Sequence, residues 1–109
     1  GKTVYEKVCL SCHQADGSGV PNLTPPLIEG VFVNGEKKTL IGMVLAGMEE
    51  VNIKGEYYAG SMPGFDYLSD DEIADVLTFV RSSFKNKAQP ISKAEVAAVR
   101  TAKKQQKPD

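Results

Sequence analysis

Apolar positions recur at helical spacing in four stretches of the chain. Tyr5, Val8, Cys9 and Cys12 fall at i, i+3, i+4 and i+7, one face of an N-terminal helix. Thr3, with Glu6 three residues on, predicts its start by a capping box. Leu40, Ile41, Val44, Leu45 and Met48 form the stripe of a second helix from about Lys38 to Ala46, and Gly47 stands where a C-terminal cap belongs. The strongest start signal is at Ser69: Glu72 completes a capping box, and Leu68 with Ile73 makes a hydrophobic staple. Ile73, Val76, Leu77, Val80 and Phe84 carry the apolar face that follows. Ser92 and Glu95, flanked by Ile91 and Val96, repeat the signal for a shorter final helix.

Between these stretches the pattern breaks. Residues 16 to 35 hold Gly17, Gly19, Pro21, Pro25, Pro26 and Gly30, too much punctuation for a helix or a central strand. A loop of that length in a small domain usually has a task, such as wrapping a ligand. Val51 to Tyr58 alternates around Lys54-Gly55 and predicts a small hairpin, the one strand signal in the chain. The fold class is therefore all-α, with long Gly/Pro loops.

Composition sharpens this reading. The chain has 109 residues, the size of one domain, with 41% hydrophobic and 25% charged residues, an ordinary globular balance. It contains no Trp and only 7% aromatic residues, so core material is thin and a large prosthetic group would fill the gap. Net charge is -1, which argues against nucleic acid as a partner, and no apolar run is long enough to span a membrane. The opening Gly1-Lys2-Thr3 has neither an initiator Met nor an apolar leader, which reads as a processed chain or an excised domain. Residues 1–91 carry eight basic and twelve acidic side chains, whereas residues 92–109 carry five and two. The change falls at Ala88-Gln89-Pro90 and predicts a body over residues 1–88 with a C-terminal helix and basic tail over 89–109.

The chemistry is concentrated in Cys9-Leu10-Ser11-Cys12-His13, a Cys-x-x-Cys-His run holding both cysteines and the only histidine. Two thiols about one helical turn apart can add to the two vinyl groups of a haem, and the adjacent imidazole can then reach the iron. A zinc site needs about four ligands, and no second Cys/His pair exists to supply them. A thioredoxin-like dithiol would need a βαβ setting. A structural cysteine pair leaves the histidine unexplained. Covalent haem is the reading that uses all three residues.

On these residues the chain resembles the class I c-type cytochromes, over essentially residues 1–86. The resemblance implies a helical fold wrapped around one covalent haem c. Gly1 and Tyr5 resemble the small and aromatic residues with which the family's first helix crosses its last core helix, here Ser69 to Phe84. Ser61-Met62-Pro63-Gly64 matches the loop that supplies a second axial ligand, so the implied iron ligands are His13 and Met62. Pro25-Pro26-Leu27 resembles the segment whose carbonyl accepts the imidazole Nδ1–H and whose leucine packs on the porphyrin. Gly60, Pro63 and Gly64 give Met62 a slim, stiff backbone for close approach, whereas Met43 and Met48 read as packing on or beside a helical stripe. Tyr57, Tyr58 and Lys54 are candidates for hydrogen bonds to haem propionates.

The implied function is one-electron transfer between redox proteins, either alone or as the carrier domain of a larger enzyme. Similar tails occur in cytochrome domains fused to quinone-dependent dehydrogenases or copper nitrite reductases. No catalytic residues are expected. A periplasmic or otherwise extracytoplasmic location and a monomer or tethered domain follow from the same resemblance. The competing reading is a haem-based sensor whose sixth ligand is displaceable.

Overall fold

The structure is a computed structural model that describes residues 1–28, 30, 32–48, 51–53, 55–60 and 62–105, excepting the side chains of Ser11, Cys12, Val51, Lys103, Lys104 and Gln105. The described elements are α1 (Lys2–Val8), α2 (Leu10–His13), α3 (Lys37–Ala46), β1 (Val51–Ile53), β2 (Glu56–Tyr58), α4 (Asp70–Ser82) and α5 (Lys93–Gln105). The strands form the expected antiparallel hairpin, with Val51 opposite Tyr58 and Ile53 opposite Glu56.

The two N-terminal helical segments are nearly one. Cys9 lies between them at φ -112° and ψ -36°, yet its N–H still donates to the Tyr5 carbonyl and its own carbonyl accepts from His13. The Thr3–Glu6 capping box does not form. The helix is capped two residues sooner, by Gly1, with no side-chain hydrogen bond there. Packing explains the earlier start: a Cβ on Gly1 would collide with the carbonyl oxygen of Asp75 and with Phe79, so only a bare Cα lets α1 cross α4 this closely. Tyr5, 1% exposed, completes the crossing against the ring of Phe79 at 5.5 Å.

Ser69 caps α4 as predicted. Its hydroxyl accepts from the Glu72 N–H, and the Glu72 carboxylate accepts from the Ser69 N–H. The same reciprocal pair joins Ser92 and Glu95. Two expectations for these helices are corrected. Phe84 does not extend the α4 face: the helix ends at Ser82, and Phe84 turns to φ +52°. Its ring instead packs on Tyr5 and Phe79. The final helix is as long as α4, at 13 residues. It docks on the body through Ile91 and Val96, which are buried in the shared core with Ile41, Ile73 and Leu77. Arg100 of α5 donates to Asp70 and to the carbonyls of Asp66 and Leu68, and Glu95 pairs with Lys37.

In α3 the buried stripe is Leu40, Ile41, Val44 and Leu45, and Gly47 closes the helix at φ +79°. Met48 lies beyond that turn, where the chain has reversed, and is paired with Met62 in an isolated antiparallel bridge.

Candidate functional site

An apolar cleft opens between the Cys-x-x-Cys-His segment, the proline loop, α3 and α4. Cys9 and His13 line it from one side, Pro25, Pro26 and Leu27 from the loop, and Met62 from the segment before α4. Leu40 and Val44 of α3 and Val76, Leu77 and Val80 of α4 complete the wall. Leu40 and Val44 lie four residues apart, and Val76, Leu77 and Val80 fall at i, i+1 and i+4, so each helix presents a single stripe. The sequence thus folds an imidazole and a thioether, side chains of a kind able to ligate a metal, into one largely apolar space.

The imidazole is fixed in direction. His13 Nδ1 lies 3.1 Å from the Pro25 carbonyl oxygen. A carbonyl can only accept, so Nδ1 carries the proton and Nε2 keeps its lone pair for a metal. Burial holds His13 below its ordinary pKa, partly opposed by the bond to Pro25, and favours the neutral form that coordination requires. The segment is pinned at its far end as well. The Tyr5 hydroxyl donates to the Gln14 carbonyl at 2.6 Å, and burial pushes its pKa up to about 12. Gly19 N–H donates to the His13 carbonyl, and Leu27 N–H to the Gly17 carbonyl, so the proline loop is laced to the turn after His13.

The residues singled out by sequence meet here with two qualifications. Cys9, His13, Pro25, Leu27 and Met62 all line the cleft or hold a residue that does. The backbone of Cys12 is helical and its side chain lies outside the described set, as do Lys54 and Ser61 altogether. Tyr58 lies outside the lining, and its hydroxyl donates to its neighbour Glu56 at 3.2 Å. Ile53, on the facing strand, makes the hairpin's contact with the cleft instead. Met43 and Met48 also line the cleft.

Sequence reasoning missed Asn86. Its side chain is buried, donating Nδ2–H to the carbonyls of Leu27 and Val80 at 2.9 Å while Oδ1 accepts from Asn34. One amide therefore ties the proline loop to the end of α4. A lone polar residue after a helix carries no periodic signal that would have marked it.

The donor set suits a flat apolar group bearing a metal: nitrogen and sulfur ligands, a neutral oriented imidazole, a thiol-bearing wall and few polar groups elsewhere. A small helical protein built round such a cleft, with Cys-x-x-Cys-His on its wall, belongs to the haem-carrying electron-transfer class. The family model for cytochrome c matches residues 1–84. The chain belongs to the cytochrome c family and is an electron carrier. It is 32% identical to cytochrome c-552 of Thermus thermophilus, over 94% of this chain and 86% of that one. It is 35% identical to the cytochrome c subunit of the quinone alcohol dehydrogenase of Gluconobacter oxydans, over 93% of this chain and 22% of the subunit. It is also 34% identical to the gluconate 2-dehydrogenase cytochrome c subunit of Pantoea cypripedii, spanning 24% of that protein. Among the described residues no helix is long and apolar enough to cross a membrane.

Proposed function

We propose that this chain carries a single haem c, thioether-linked through Cys9 and Cys12, with His13 and Met62 as its two axial ligands, and shuttles single electrons between redox proteins. The observation that carries the reading is the meeting of His13 and Met62 in one apolar cleft, with the His13 ring already oriented by the Pro25 carbonyl.

Bound there, haem c supplies a one-electron ferric/ferrous couple. The residues around it do the rest. His13 offers Nε2, and Pro25 keeps the ring from rotating away. Met62 offers a soft sulfur, which favours ferrous iron and raises the potential. Leu27, Val44 and Val80 exclude water, so charge arriving in the cleft is weakly screened. With His13 and Met62 both committed to the iron, no ligand position would be left for a substrate.

The same reading assigns residues 1–88 to the haem-carrying body and residues 89–109 to an extension whose helix α5 packs on it. It places the protein in the periplasm or an equivalent compartment outside the cytoplasm, as a monomer or a tethered domain. Partners are a redox donor and acceptor, and the dehydrogenase cytochrome subunits among its relatives favour a dehydrogenase as donor.

The test is chemical. After acidic organic extraction the polypeptide should retain its haem and show the mass of the chain plus one haem. The oxidised protein should show the weak long-wavelength charge-transfer band of thioether-bound haem. Haem lost to the organic phase would refute covalent attachment. A high-spin spectrum that shifts readily with carbon monoxide would favour the sensor reading.

A further inference from the structure

Arg81 is a buried cation with no counterion among the described residues. The residue is 4% exposed. Its Nε donates to the Gln89 carbonyl at 2.6 Å, and one Nη donates to the carbonyls of Val33 and Gly35 at 3.0 and 3.1 Å. The three described ion pairs belong to Lys37, Lys93 and Arg100. Among the described residues no carboxylate lies within ion-pair distance of Arg81. Glu36, next along the chain from Gly35, is exposed and accepts from the Thr39 hydroxyl.

Carbonyl dipoles hold a guanidinium in place but do not cancel its charge. The guanidinium does not deprotonate in proteins, so the charge is permanent. Its position matters because it stands directly behind the cleft wall. Val80, the preceding residue of α4, and Val33, whose carbonyl it binds, both line the cleft. A unit charge in such surroundings acts at a far lower effective dielectric than one in water.

We infer that Arg81 is an electrostatic positioning residue that raises the reduction potential of the haem site, a reading that rests on haem occupying this cleft. An electron delivered by a protein donor lowers the charge in the cleft by one, and no proton moves to or from Arg81. The fixed cation therefore stabilises the reduced state over the oxidised one.

The experiment is redox titration of the haem-loaded protein and its variants, with chemical unfolding measured alongside. Arg81→Gln should shift the reduced-to-oxidised ratio at a given ambient potential by about tenfold toward oxidised, a midpoint lower by about 59 mV for one electron. Arg81→Lys keeps the charge but not the fork of hydrogen bonds, so it should lose stability while holding the parent midpoint within about twofold in that ratio. Thr78→Val removes the α4 hydroxyl that bonds the Ile91 main chain, outside the cleft lining and without changing charge, and should likewise leave the midpoint in place. If Arg81→Gln does not fold around haem, Arg81→His reports the same coupling as a midpoint that falls when pH rises through the imidazole titration. An unmoved midpoint in Arg81→Gln, a flat pH profile in Arg81→His, or equal falls in the Lys and Thr78 variants would overturn the inference. Absence of haem or of the methionine band in the parent protein would instead refute the proposed site.

Discussion

Met48 and Met62 are joined through their main chains in both directions: the Met48 N–H donates to the Met62 carbonyl at 2.8 Å, and the Met62 N–H donates to the Met48 carbonyl at 2.6 Å. The segment presenting the proposed sulfur ligand is therefore anchored to the end of α3. Both side chains reach the cleft, so backbone position alone does not choose between them. Met62→Ala should abolish the charge-transfer band and lower the midpoint potential, because the soft ligand is lost. Met48→Leu conserves volume and should keep the band, at a cost below about 1.5 kcal/mol in stability. The opposite pattern in absorption spectra of the two variants would assign the ligand to Met48.

Gly47 makes that anchoring possible. It sits at φ +79° and ψ 177°, and a Cβ there would stand 2.6 Å from the Met62 carbonyl oxygen and from the Gly64 nitrogen. Gly47→Ala should therefore destabilise the protein by about 2 kcal/mol or more, since backbone strain of about 1–3 kcal/mol adds to the displacement of the Met62 loop. Denaturant unfolding gives the stability, and the charge-transfer band should weaken in step. An unchanged midpoint of unfolding would show that the two segments are not packed this closely.

Asn86→Ala removes the only described side-chain donor to the Leu27 carbonyl and one to that of Val80. Each carbonyl keeps a main-chain donor, the Gly30 N–H for Leu27 and the Ser83 N–H for Val80, so the loss is two side-chain hydrogen bonds at about 0.5–1.5 kcal/mol each, about 1–3 kcal/mol together. Unfolding by urea should show a loss in that range, together with faster amide exchange in the proline loop. A loss below about 0.5 kcal/mol would mean that water replaces the amide freely.

The capping boxes give stability an acid limb. Bonding from the Ser69 N–H, then its hydroxyl, holds Glu72 below the ordinary glutamate value of 4.5, and bonding from the Ser92 N–H, then Lys37, does the same for Glu95. A depressed folded-state pKa means the unfolded chain binds protons first. The stabilisation is therefore complete above about pH 4.5 and lost as pH falls through the folded-state values. The Glu72→Gln, Glu95→Gln double variant should show a shallower decline than the parent in urea unfolding followed from neutral pH downward. Parallel curves would remove these carboxylates from the acid response.

Electron exchange should depend weakly on salt. The family resemblance implies that electrons enter and leave at the haem edge near the second cysteine, and the rim expected there draws on uncharged residues such as Gln14, Ala15, Val20, Pro21, Pro63 and Gly64. Leu23, half exposed, extends the apolar patch beside them, its carbonyl accepting from the Gly60 N–H. Without a ring of lysines to steer an acidic partner, the bimolecular rate should change less than about threefold between low and physiological ionic strength, where strong steering gives ten- to a thousandfold effects. A stopped-flow salt series showing a steep monotonic loss would place docking on the charged residues instead.

Much of this protein is determined by residues close together in sequence. The Cys-x-x-Cys-His run places its three groups within five residues, so their chemistry is legible without a fold. Ser69–Glu72 and Ser92–Glu95 are likewise local, because a helix start is satisfied within one turn. Gly47 reads as a helix end for the same reason. Tertiary structure decided what depends on distant partners. Gly1 overrides the Thr3 signal because α4 lies against it, and Phe84 leaves its helix to pack on Tyr5. Ile53 reaches the cleft only because the hairpin folds against it. Arg81 and Asn86 looked like ordinary polar residues near a helix end. Their roles appear only when carbonyls from residues 27 to 35 are folded onto them, because a buried polar group is defined by the partners that replace its water.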